Sequence, residues 1–151
     1  MSSLFTCALI VLLLVHCYTD LRWQLLYDRV NGCLGLLGLA YAFWAGELLA
    51  GVQGAAVGGG LLLLLYVLSG GGMGLGDVKL ALVLGLWLGP SRTLLALLLA
   101  FVAGGLVGVF LLTSGLRSRK EAIPFGPFLA LGACVSYLWG GSIITWYVQC
   151  W

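Results

Sequence analysis

Charge is what this chain has least of. Lys and Arg number 7 and Asp and Glu 5 among 151 residues, or 8% charged, where an ordinary soluble chain carries about a quarter. With 62% hydrophobic residues and a mean hydropathy of +1.14, that scarcity argues against a water-soluble fold and puts the chain in the membrane class. The net charge of +2 is small and scattered, which excludes a nucleic-acid-binding surface. Metal ligands are equally few. His16 is the sole histidine, and Cys7, Cys17, Cys33, Cys134 and Cys150 make no CxxC pair and no zinc-ligand spacing. The cysteines read as small apolar residues, and neither a metal nor another cofactor is expected. The opening MSSLF lacks the basic start and small-residue cleavage site of a signal peptide, so residues 4–18 are expected to stay as a helix. No soluble domain, linker or low-complexity tail interrupts the sequence, which reads as a single membrane domain over 1–151.

Apolar runs are what the chain has instead. Crossing a bilayer takes about 20 apolar residues, and six stretches are expected to do so: 3–19, 31–50, 52–70, 78–91, 93–114 and 123–149. The fourth is short and stops at the turn signal Gly89-Pro90. Short cytoplasmic loops retain Lys and Arg. With six spans, Arg22, Arg29, Lys79, Arg117, Arg119 and Lys120 share one side and Arg92 alone takes the other. Loops 20–30, 70–79 and 115–122 are therefore expected in the cytoplasm, with both termini outside. The same orientation makes Asp20, Asp28, Asp77 and Glu121 cytoplasmic and leaves Glu47 near the far face. Glycine is abundant, with 24 residues. Pairs such as Gly54/Gly58, Gly85/Gly89 and Gly104/Gly108 suit close helix packing in lipid.

Ionisable residues beside hydrocarbon are costly and mark function by default. Two segments set acids at the end of a span on the shared side: TDLRWQLLYDRVN, which holds Asp20 and Asp28, and GGGMGLGDVK, which holds Asp77 and Lys79. Both can meet in space. Two adjacent carboxylates cannot both ionise cheaply, so one keeps its proton. The ionised member can act as general base on a water while the protonated one donates to a scissile carbonyl. That chemistry hydrolyses a peptide without metal or covalent intermediate. Glycines around Asp77 would permit backbone conformations and close approaches that a Cβ forbids.

The run Gly74-Leu75-Gly76-Asp77 resembles the GxGD motif of membrane aspartyl proteases, and GGMGLGDVKL is similar to its form in the type IV prepilin peptidases. Asp20 matches that family's first catalytic aspartate, and IPFGPFLALG over 123–132 matches its late segment. The resemblance covers the chain in order. It implies an all-α bundle of six transmembrane helices in the inner membrane, with an active site facing the cytoplasm. Asp20 and Asp77 are then the catalytic pair, with Gly74 and Gly76 shaping the active-site backbone. The implied reaction removes the basic leader of prepilins or pseudopilins after a glycine, with no cofactor. Longer members add a CxxC-bearing cytoplasmic domain and N-methylate the product; that domain and activity are not expected here. Tyr27 stands where many members have proline.

The remaining candidates each have a plainer reading. Asp28 suits a turn or helix cap as well as a substrate contact, and Lys79 suits a membrane boundary as well as a neighbour that tunes Asp77. Pro124 and Pro127 fit the first turn of the last span, and with Gly126 they could support the site or meet substrate. A transporter with a two-carboxylate site, or an inactive scaffold, is the competing reading of the whole chain. The oligomeric state stays open.

Overall fold

The computed structural model describes residues 2–70, 72–115 and 124–150. The basic residues Arg117, Arg119 and Lys120, with Glu121, Gly71 and the Ile123 that begins the late motif, lie outside the described residues. Five helices account for nearly all of the rest: α1 (Ser2–Trp23), α2 (Asp28–Trp44), α3 (Leu48–Leu68), α4 (Leu75–Thr113) and α5 (Gly126–Gln149). Helix is what such a sequence must form, because hydrocarbon offers no partner to an open N–H or C=O and a helix pairs its own. The surface agrees with lipid as solvent: Leu14, Leu64, Leu106, Phe110 and Val148 all face outward. Ser3–Trp23, Leu48–Leu68, Leu75–Thr113 and Gly126–Gln149 are each long and apolar enough to cross a membrane.

Five elements stand where six helices are expected, and the difference lies at a single kink. Residues 78–91 and 93–114 belong to one 39-residue element, α4, interrupted at Gly89 where φ is 69° and ψ 174°. Straight, α4 would be about 58 Å long, roughly twice a bilayer's hydrocarbon core. It is not straight. A methyl group placed on Gly58 of α3 would lie 2.5 Å from the Ala81 carbonyl oxygen and 3.0 Å from Cγ2 of Thr93. Those two residues would be about 18 Å apart on an unbroken helix. The chain therefore doubles back at Gly89-Pro90, and both arms of α4 lie along α3. Gly89 takes a left-handed φ that a side chain would resist, and Pro90 opens the second arm where no N–H partner is needed. The Thr93 hydroxyl donates to the Gly89 carbonyl at 2.6 Å, which fixes the corner.

Other boundaries move for local reasons. The second helix ends at Trp44 rather than 50, since Gly46 has φ 72° and stops it. At the opposite end of the molecule, α1 runs past Asp20 to Trp23 and α4 starts ahead of Asp77. Both acids thus stand on helix ends rather than in loops. Close packing does use glycine: a methyl at Gly54 would meet the Gly89 backbone at 2.8 Å, and one at Gly132 would meet the Ala100 nitrogen at 3.2 Å.

The helix directions give the bundle two distinct ends. At one end are the C-terminus of α1 and the N-termini of α2, α4 and α5, with Arg22, Arg29 and Lys79. Glu47, the Gly89 corner, Arg92 and Thr145 gather at the other. Tyr41 and Trp87 stack nearer that far end, with ring centroids 5.3 Å apart, and Trp87 Nε1 donates to the Leu34 carbonyl at 3.0 Å.

Candidate active site

Asp20 stands in the last turn of α1, where the helix macrodipole disfavours an anion. The opposing end of another helix compensates. The N–H of Gly126, first residue of α5, donates to Oδ2 of Asp20 at 2.8 Å in a buried contact. A carboxylate held at a helix N-terminus in this way uses N–H groups that have no partner in their own helix. Gly126 is also the residue that permits the approach. A methyl there would lie 2.6 Å from Oδ2 and 3.0 Å from Cγ of Asp20.

Asp77 is held from within its own helix. Gly74 is the N-cap of α4, which puts Asp77 at the third helical position. The Asp77 N–H donates to the Gly74 carbonyl at 3.1 Å, and the Asp77 carboxylate accepts a hydrogen bond back from the Gly74 backbone. Gly74 has φ −73° and ψ 138°, and Gly76 is helical. Neither glycine uses a left-handed backbone, so their contribution is space rather than conformational freedom. A methyl at Gly76 would press on Cβ of Leu26 at 3.1 Å, and one at Gly74 would meet Oδ2 of Asp77 at 3.3 Å.

The two carboxylates converge, although 57 positions separate them in the sequence. Asp20 is 6% and Asp77 8% exposed, they interact electrostatically, and both line one cavity of about 460 Å³ at the end of the bundle. The cavity has a polar wall at Asp20, Gln24 and Asp77, and an apolar wall at Met73, Phe101, Pro124 and Phe125. Its volume is that of an ordinary ligand site. One buried acid, one neighbouring acid and room for an extended chain are the elements of general acid–base hydrolysis.

The other candidates are divided by the structure. Pro124 lines the cavity. Pro127, in the first turn of α5, faces a separate apolar groove beside Ile10 and Cys17. Asp28 and Lys79 are away from the cavity. They form a 2.8 Å ion pair, 73% and 54% exposed at the side chain, that ties the start of α2 to the start of α4. Asp28 makes no side-chain cap.

Two neighbours of Asp20 are missing from the sequence-based candidates. His16, one turn earlier, is fully buried. Its Nδ1 lies 2.9 Å from the Leu12 carbonyl, and since a carbonyl only accepts, Nδ1 carries the proton. Nε2 is buried with no partner among the described residues, and the ring interacts electrostatically with Asp20. The signal was available, because a lone imidazole four residues before an acid on an apolar helix shares its face. Gln24, one turn later, lines the cavity. Among the described residues no three His, Cys, Asp or Glu side chains gather closely enough to hold a metal.

Comparison with known proteins bears on this geometry. The profile of the Type IV leader peptidase family matches residues 7–109. A prepilin leader peptidase/N-methyltransferase of Legionella pneumophila is 42% identical over 79 residues, 52% of this chain and 28% of that protein. A protein of the same name from Aeromonas salmonicida (strain A449) is 36% identical over 123 residues, 81% of this chain and 36% of the relative. The one from Bacillus subtilis (strain 168) is 33% identical over 143 residues, 93% and 57% of the two. The chain spans little more than half the length of the shortest of these relatives and about a third of the others. No solved structure matches it. The family match takes in Asp20, Gly74, Gly76 and Asp77 together, and the chain, a multi-pass membrane protein, belongs to the Type IV leader peptidase family.

Proposed function

We propose that this chain is a membrane aspartyl endopeptidase that removes the basic leader from type IV prepilins or pseudopilins, cutting after a glycine at the cytoplasmic face of the inner membrane. The observation that carries the reading is the pair of buried carboxylates, Asp20 and Asp77, in one cavity at one end of the helix bundle. The ionised carboxylate takes a proton from a water, and the resulting hydroxide attacks the scissile carbonyl carbon. The protonated partner donates to the carbonyl oxygen. Collapse of the tetrahedral intermediate breaks the C–N bond, and a dyad proton goes to the departing amine. The apolar segment of the substrate stays in lipid, and its basic leader lies against an anionic site.

The same reading has six membrane crossings. The hairpin in α4 supplies two, and α2, at 17 residues, is at the lower limit of spanning length. The dyad's end, which carries Arg22, Arg29 and Lys79, faces the cytoplasm by the positive-inside rule, and both termini lie outside. A transporter would instead set its acids on broken helices near the midplane. Here the break at Gly89 is about 18 Å along the helix from Asp77. The test is to incubate purified protein in detergent, with a chelator present, with a prepilin and to read the product by mass spectrometry. Cleavage after the leader's glycine is expected; an intact prepilin, or cleavage that needs added zinc, contradicts the proposal.

A further inference from the structure

Gln24 has a backbone conformation unusual for a glutamine. Its φ is +52°, the left-handed region, and it is the one non-glycine residue there among the described residues. Glycine or asparagine is what helix ends ordinarily place in that conformation. The Gln24 N–H donates to the Asp20 carbonyl at 2.9 Å, so this turn closes on the catalytic aspartate itself. A sparsely populated backbone state kept at an active site is a reason to look for a role of the side chain that occupies it.

The walls of the cavity suggest that role. Asp20 and Asp77 are acceptors when ionised. The described side chains around them are otherwise apolar or absent, as at Phe101, Phe125, Met73 and the glycines. Among the described residues, Gln24 is the single uncharged polar side chain in the lining. A carboxamide offers two N–H donors and a carbonyl acceptor at once, the complement of the C=O and N–H pair of a peptide group. Resting on the peptidase reading above, we propose that Gln24 is a substrate-binding residue that holds the backbone of the peptide beside the dyad, presenting the scissile bond to Asp20 and Asp77. Its ligand is peptide backbone rather than a particular side chain. Its left-handed conformation turns the chain at the end of α1 so that residue 24 lines the cavity instead of continuing the helix.

Substitutions separate this from a mere helix stop. Gln24→Gly takes the same φ without strain but has no amide. Gln24→Asn tolerates that φ and keeps a shorter amide, and Gln24→Glu keeps the length but loses the donors. Processing of a prepilin should fall roughly 10- to 100-fold in kcat/KM for Gln24→Gly and Gln24→Glu, the effect of leaving a substrate polar group unpaired. Gln24→Asn should recover a large part of that loss, and Gln24→Gly should melt no lower than wild type. A second readout does not need turnover. In the Asp77→Asn background, a fluorescent peptide spanning the prepilin cleavage site should bind about tenfold more weakly once Gln24→Gly is added. Wild-type kcat/KM in Gln24→Gly, or equal peptide affinity in the two backgrounds, overturns the proposal. If wild-type protein cleaves no prepilin, the peptidase reading is wrong, and the binding comparison still decides whether Gln24 holds a peptide.

Discussion

Gly126→Ala tests the joint between α5 and the first carboxylate. The added methyl would lie 2.6 Å from Oδ2 and 3.0 Å from Cγ of Asp20, well inside van der Waals contact. The group in the way is the Asp20 carboxylate itself, held by the Gly126 N–H at 2.8 Å, so it can yield only by leaving that bond. Either the carboxylate rotates off that N–H or α5 retreats from α1. Both outcomes remove a hydrogen bond to a charged group, a loss of about 1.5–3 kcal/mol. Expressed through Asp20 in its proposed catalytic role, that is roughly a 10- to 150-fold drop in turnover. Gly126→Val should be worse, since its branches add to the collision. The assay is prepilin processing at matched protein levels, with a melting curve in detergent to separate misplacement from unfolding. Gly60→Ala is the control: nothing lies within 4 Å of a methyl added there, so activity should hold. A Gly126→Ala protein that processes at the wild-type rate would refute the view that this contact positions Asp20.

Other expectations follow from geometry away from the dyad. Asp28→Asn breaks an ion pair whose partners are 73% and 54% exposed, so it should cost less than about 1 kcal/mol and leave processing near wild type; a large loss would place Asp28 in the site. Gly54→Val should prevent accumulation of folded protein, because a methyl there already meets the Gly89 backbone at 2.8 Å and overpacking of this kind costs about 1–3 kcal/mol or more; normal accumulation and melting would show that the hairpin of α4 does not pack as described. Reporter fusions in the 115–122 loop and after Trp151 should report opposite sides of the membrane, and the same side for both would end the six-crossing reading.

The helical class and the pairing of Asp20 with Asp77 are legible in the sequence for different reasons. Composition alone decides the solvent, and the solvent decides that backbone groups pair within helices. The acids stand out because so few charges exist to compete with them. Contacts between distant segments are less legible. Nothing local in IPFGPF says that the Gly126 N–H will reach an aspartate 106 residues earlier; only the packing of α1 on α5 creates that bond. The corner at Gly89-Pro90, by contrast, is legible: the turn signal falls where the two arms of α4 part, at a residue with φ 69°. The glycines of GLGD show the limit of residue-type reasoning. They suggest unusual φ values, yet Gly74 has φ −73°, and what matters is the room they leave for Leu26 and the Asp77 carboxylate. Gln24 gave no sequence signal, since a left-handed glutamine has no pattern to read.

The measurement closest to the central claim is prepilin processing by Asp20→Asn, Asp77→Asn and the double variant at matched protein levels. Asn keeps the shape of Asp and should leave the bundle inserted, but it can neither deprotonate water nor share the dyad's proton. Each single variant should lose about 10²–10⁴-fold in rate, the usual contribution of a general acid or base. Because the pair acts as one unit, the double variant should be scarcely worse than either single. Near wild-type processing by Asp20→Asn, together with loss in Asp28→Asn, would move the first carboxylate to Asp28 and contradict the account.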